Sequence, residues 1–185
     1  MDAKSLAAAS AVAALVAGGG MAETVEPHGH YLVECFDADG NLKWTDQIEN
    51  LVVTQGRNFA LDTLLSGSAY TAAWFLGLVD GGSTPTYAAG DTMASHAGWT
   101  ENVGYSNANR PTPNLAAAAS GGSKASTATA FNINATGTIA GCFLTTNGTK
   151  GGTTGTLYSV GNFSGGNRAV VNGDTLNVTY TASLT

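Results

Sequence analysis

Charge is scarce in this sequence. Asp, Glu, Lys and Arg make up 11% of its 185 residues, where a soluble domain typically carries roughly 25%. The basic residues stand singly at Lys4, Lys43, Arg57, Arg110, Lys124, Lys150 and Arg168. Phosphate binding relies on clustered Lys and Arg that displace counterions, so scattered cations in a chain of net charge -6 speak against nucleic acid as a direct partner. Cysteine is rarer still. Cys35 and Cys142 are the only two, far apart and without CxxC spacing, which excludes a disulfide framework and a cysteine zinc site. Buried free thiols are expected. No apolar run reaches the about 20 strongly apolar residues of a membrane span.

What is present is a normal hydrophobic share of 43%, with Thr, Ser, Asn, Gly and Ala in place of charge. The length suits one domain, or one domain plus an arm, with a core that needs no metal or disulfide. A neutral polar surface repels its own copies weakly and suits a protein that packs against neighbours. Met1 to Ala22 has the outline of a weak signal peptide: one Lys, a small-residue apolar run through Leu15 and Val16, then Gly-Met-Ala. Asp2 offsets Lys4 and the run is mostly Ala, so the expectation is a retained arm over residues 1–29. Ala propensity predicts a helix from Ser5 to Ala17, closed by Gly18, Gly19 and Gly20.

From His30 the periodicity becomes two. Tyr31, Val33 and Cys35 alternate with Leu32, Glu34 and Phe36, apolar enough on both faces to predict a strand covered twice. DADGN at 37–41 is a turn sequence, and Leu42, Trp44 and Ile48 form one face of the next strand, which completes a hairpin. A helix follows, with Thr54 as N-cap, Gly67 as stop, and Ala60, Leu61, Leu64 and Leu65 expected against the sheet. Trp74–Val79 predicts a short apolar strand. Residues 80–113 form a long, poorly periodic loop of the kind that is functional or pinned by a partner.

Further strands are expected over Thr127–Ala135, with Phe131 and Ile133 on one face, and over Thr138–Thr145; a flexible Gly/Thr loop is expected at 148–155. The final strand alternates cleanly: Leu176, Val178, Tyr180, Ala182 and Leu184 against Thr175, Asn177, Thr179, Thr181 and Ser183. These short strands and turn signals predict a mainly β domain over residues 30–185, an antiparallel β-sandwich or jelly-roll-like fold with one short helix. The last strand is expected at a sheet edge, open to pairing across subunits.

No catalytic constellation emerges. There is no Gly-x-Ser-x-Gly elbow, Walker loop or dinucleotide-binding glycine motif. His28 and His30 could project together but lack further metal ligands; the third histidine, His96, lies in the long loop. Asp37, Asp39 and Asn41 imitate the start of a calcium loop, yet Gly40 comes fourth and Ile48 twelfth, where an EF-hand needs Gly sixth and Glu twelfth. Asp80, Asp91, Glu101 and Asp174 could supply a glycosidase carboxylate pair, against the commoner roles of caps and turns. Trp74, Trp99, Tyr70, Tyr87 and Tyr105 could line a sugar platform, though aromatics at strand spacing are more often core. The Asn-x-Ser/Thr sites at Asn134, Asn147, Asn162 and Asn177 follow from composition. No catalytic, cofactor or metal residue is assigned.

Several stretches taken together resemble a recurrent family of small virion proteins of tailed bacteriophages: CFDADGNLKW, ENLVVTQGRNFALDTLL, AAWFLGLVDG, AAGDTMASHAGWTE, FNINATGTIAGCFLTTNGTKGGTTGTLYS and VVNGDTLNVTYTASL. The similarity spans about Tyr31–Thr185, with DTMASHAGWTE at 91–101 its most specific element, and leaves out the arm. It implies a non-enzymatic structural component of the virion. The expectation is a capsid decoration, or cement, protein on the capsid surface that binds across major capsid subunits or further copies of itself, as a homo-oligomer in the particle. The arm and the loop at 80–113 would then be ordered by neighbouring subunits. The alternatives are a tail-tip or fibre component contacting the host, a small glycoside hydrolase, and a secreted adhesin.

Overall fold

The computed structural model describes residues 26–65, 73–119 and 122–184. The expected helix at Ser5–Ala17, the stop at Gly67, and Tyr70 lie outside them. Strands are β1 (Pro27–Phe36), β2 (Leu42–Glu49), β3 (Leu51–Val52), β4 (Phe75–Asp80), β5 (Glu101–Asn102), β6 (Ser123–Ala125), β7 (Thr129–Asn132), β8 (Gly137–Thr145), β9 (Leu157–Asn162), β10 (Arg168–Val170) and β11 (Thr175–Leu184), with a helix α1 (Thr54–Leu65). The protein is mainly β, as expected, with two antiparallel sheets and, among the described residues, one helix. The first strand opens at Pro27, three residues ahead of the expected boundary.

The first sheet runs β2-β1-β11, with β6 and β7 both beyond β11. The second runs β3-β9-β8-β4-β5, and β10 continues alongside β8 past the end of β9. Their facing sides share one core. Tyr31, Val33, Cys35, Ile48, Phe131, Leu176, Val178 and Tyr180 from the first sheet meet Leu76, Leu78, Ile139, Cys142 and Leu144 from the second. Alternation puts these residues on one face of each strand, except that β8 changes parity at Ala140, which its pairing with β4 skips between Gly141 and Ile139. Each fully buried aliphatic or Phe side chain contributes on the order of 1.5–3 kcal/mol.

Three expectations need correction. β11 is not an edge strand: β1 pairs along its whole length on one side, and β6 and β7 pair on the other. Alternation reports which side chains face inward and is silent on lateral neighbours. On β1 Tyr31, Val33 and Cys35 are buried, while Leu32, Glu34 and Phe36 on the other face are half-buried. On β2, Leu42 is 55% exposed. The partner of β2 steps from Trp44↔Cys35 to Leu42↔Phe36, so Lys43 is an extra residue and the alternation breaks there. The inward positions that remain are Trp44, Asp46 and Ile48.

The second sheet is buried on both faces. Its outer face carries Val79, Ala140, Phe143, Leu157 and Val160, and Val53, Met93, Trp99 and Tyr87 cover it. The cover comes largely from the long loop after β4. Asp80 N–H donates to Thr100 O, Thr86 N–H to Gly98 O, and Leu76 N–H to Pro111 O. The loop expected to need a partner is ordered on the protein's own sheet.

Close strand approach depends on Gly141 in β8, where a Cβ would lie 1.8 Å from the carbonyl oxygen of Gly161 on β9. Replacing Gly141 with Ala is expected to lower stability by at least about 1–3 kcal/mol, the cost of overpacking. The check is urea unfolding, in which an unchanged midpoint would count against the tight β8–β9 approach.

Candidate functional site

Most residues that could have carried chemistry are tied into the fold. Asp37 Oδ1 accepts the backbone N–H groups of Asp39 at 3.0 Å and Asn41 at 2.8 Å. That is an Asx turn closing the β1–β2 hairpin. His28 and His30 are exposed, and among the described residues no group of three His, Cys, Asp or Glu side chains is placed to hold a metal. Both thiols are free and buried, as expected.

Each of the four loop and turn carboxylates is held by its own set of hydrogen-bond partners. Asp80 accepts Gly82 N–H at 2.8 Å and Asn102 Nδ2 at 2.8 Å. Asp91 accepts the Trp99 indole N–H at 3.1 Å and Ala88 N–H at 3.1 Å. Asp174 accepts Lys43 Nζ at 2.6 Å, Val171 N–H at 2.9 Å and the Cys35 thiol at 3.7 Å. Glu101 takes Arg110 Nε at 2.9 Å and Nη2 at 2.7 Å, and Gly151 N–H at 2.7 Å. Trp99 and Tyr105 belong to the core, at 4% and 0% exposed, so these two do not line a sugar platform.

Arg110 is the deepest charge. Its side chain is 0% exposed and that of Glu101 8%. The guanidinium also donates to Asn147 O and Gly152 O, and it lies 5.2 Å from the centre of the Phe143 ring. Lys150 Nζ donates to Tyr105 O and Asn107 O. These bonds clamp the Gly/Thr loop, which departs from the expected flexible one. Asp46, like Asp174, is a further buried ionic anchor. Burial pushes its carboxyl up, but hydrogen bonds from Ser164, Arg168, Gln47 N–H and Gly165 N–H outweigh that and hold it below the ordinary carboxylate range.

The feature that remains open is an apolar groove of ≈ 750 Å³ at one end of the sandwich. Phe59, Leu61 and Leu64 of α1 form one wall, Trp74 and Tyr158 the floor, and Tyr180 to Leu184 of β11 the other wall. Trp74 packs edge-on against both Phe59, at 5.5 Å, and Tyr158, at 5.2 Å. The expected packing of the α1 leucines on the sheet is overturned: Leu61, Leu64 and Leu65 are 45%, 64% and 76% exposed. The helix meets the sheet through Gly56 instead, where a Cβ would lie 2.3 Å from Tyr158 O. Thr54 opens the helix, but its hydroxyl accepts from the Arg57 side chain, and Val53 O accepts Arg57 N–H. Gly56 was the sequence signal for this anchoring, since a small residue in a first turn permits backbone approach at the start of the helix and lets its later turns lift away.

Arg110→Met should cost about 3–5 kcal/mol, because Glu101 is left buried without its cation; a loss below about 1 kcal/mol in chemical denaturation would count against the clamp. Burial, then the Asp174 carboxylate, pushes the Cys35 thiol up to about 12, and burial raises Cys142, Tyr31, Tyr105 and Tyr180. An acid raised in the folded state loses its proton earlier when unfolded. The stabilisation is therefore complete below the unfolded values of about 8.5 for Cys and 10 for Tyr, and fades as pH rises above them. Urea midpoints should thus fall from about pH 9 upward, and a flat profile to pH 11 would contradict the assignment. In comparisons with known proteins, no family model, curated protein or solved structure matches this chain.

Proposed function

We propose that this chain is a non-enzymatic structural protein of a tailed-phage particle, specifically a capsid decoration protein that binds across major capsid subunits. The observation that carries the binding part of the reading is the apolar end of the sandwich. Leu61, Leu64 and Leu184 stand open there around a groove, and contiguous exposed apolar surface marks interaction sites. The placement of Asp80, Asp91, Glu101 and Asp174 in separate structural bonds supports a binding task over carboxylate chemistry. The phage assignment rests on the resemblance of the segments between Tyr31 and Thr185. A ligand that binds only the assembled shell stabilises it by mass action, which needs a rigid body and an adhesive surface, not a reaction.

The copy number of the chain relative to the major capsid protein in purified particles tests the assignment. A ratio near one or one third is expected. A handful of copies would move the protein to the tail tip or a fibre, and absence would end the virion reading. Leu61→Asp combined with Leu64→Asp should leave stability within about 0.5 kcal/mol, as for exposed positions, while lowering occupancy on particles. Unchanged occupancy would remove this end as the docking surface.

A further inference from the structure

We propose that the apolar groove binds a small amphiphile with an anionic head, a long-chain carboxylate whose alkyl chain lies between α1 and β11 and whose carboxylate stays at the rim. This goes beyond the docking reading, because it assigns the groove a ligand of its own on the free protein.

The first observation is shape. The groove measures ≈ 750 Å³, inside the roughly 300–1,000 Å³ of sites that enclose most of a small molecule. Phe59 and Leu64 stand on its α1 wall, Trp74 and Tyr158 lie on its floor, and Ala182 and Leu184 line its β11 wall. Aromatic and aliphatic surfaces of this kind suit an alkyl chain, in which every CH₂ group taken from water adds to affinity.

The second observation is charge. Among the described residues that line the groove, Arg57 and Lys124 are the only charged ones, and both are cations. The chain as a whole has 13 acidic and 7 basic residues, so the groove runs against its composition. Arg57 belongs to the α1 wall, and Lys124 on β6 pairs with Ala182 of the β11 wall. Both side chains are exposed, and among the described residues neither takes part in an ion pair. The one acid on α1, Asp62, does not line the groove.

Two unpaired cations beside an apolar hollow complement an anionic head and oppose a cationic one. They also disfavour a second copy as the occupant, since contact of groove with groove would bring four like charges together with no groove acid between them. An anionic amphiphile matches the hollow and the cations at once.

The test is isothermal titration calorimetry of the full chain with decanoate and with decyltrimethylammonium, probes of similar chain length and opposite head charge, each kept below self-association. A net charge of -6 draws the cationic probe to the protein as a whole, so a preference for the anion reports a local site. Decanoate should bind one to one, more tightly than decyltrimethylammonium by about tenfold or more, the scale of one charge-assisted hydrogen bond. Arg57→Gln combined with Lys124→Gln should abolish that preference and leave the urea midpoint unchanged, as for exposed positions. Leu64→Asp, which sets an anion in the wall, should weaken decanoate by a similar factor. No saturable binding of decanoate, or equal affinity for the two heads, would overturn the proposal. So would a dimer in sedimentation velocity that decanoate does not dissociate, which would mean that a second copy fills the groove. Binding to anionic phospholipid vesicles that decanoate does not displace would overturn it as well, in favour of a membrane surface. All of this is read on free protein, while the docking reading is read from particle occupancy, so either can fail alone.

Discussion

Strand β8 sets the terms for the rest of the molecule. Its side chains from Ile139 to Thr145 are buried, one set facing the other sheet and the other set facing away from it. A sheet that is apolar on both sides must be covered on both sides, or it exposes a patch that aggregates. The first sheet covers one side, and among the described residues no further sheet covers the other. The long loop between β4 and β6 does that work by laying Met93 and Trp99 over Phe143 and Val160.

A loop used as a layer of the core has to be held, because its backbone polar groups are not satisfied by a regular ladder. Here the holding is done by charge placed where water is excluded. Arg110 spans Glu101, Asn147 and Gly152, so the cover is tied to the Gly/Thr loop at 146–156. At the β2 edge Asp46 and Arg168 play a comparable part. Asp46 points inward and bonds the segment after β9, and Trp44 Nε1 donates to Ala169 O. Inward charge and a bonded neighbour keep that edge from offering a free ladder. A chain with little charge has concentrated some of it in the interior, where one ion pair can orient several segments.

The same economy explains the open end. α1 is anchored by Gly56 on β9 and by Thr54 N–H on Ala89 O. These contacts fix the start of the helix and let its later turns diverge from the sheet, which opens the groove between α1, Trp74 and the end of β11. The leucine spacing that marked α1 as amphipathic was a sound indication of an apolar stripe. It did not say what the stripe would meet, because amphipathicity describes one surface and packing requires two.

Much of the fold could be read from the residues. Alternation placed Tyr31, Val33, Cys35, Phe131, Ile133, Leu176, Val178 and Tyr180 in the core, and the DADGN turn predicted the hairpin that Asp37 closes. The two thiols were expected buried and free, and are. These features are local: period, turn chemistry and composition act within a few residues. Three features were not legible, namely the central position of β11, the pairing of Arg110 with Glu101, and the exposure of the α1 leucines. Each depends on which distant segment arrives alongside, and that choice minimises exposed surface and unpaired charge over the whole chain. By itself, then, the sequence determined which faces are apolar. Only the tertiary structure decided which of them are covered and which one stays open, because covering is a relation between segments that no single segment encodes.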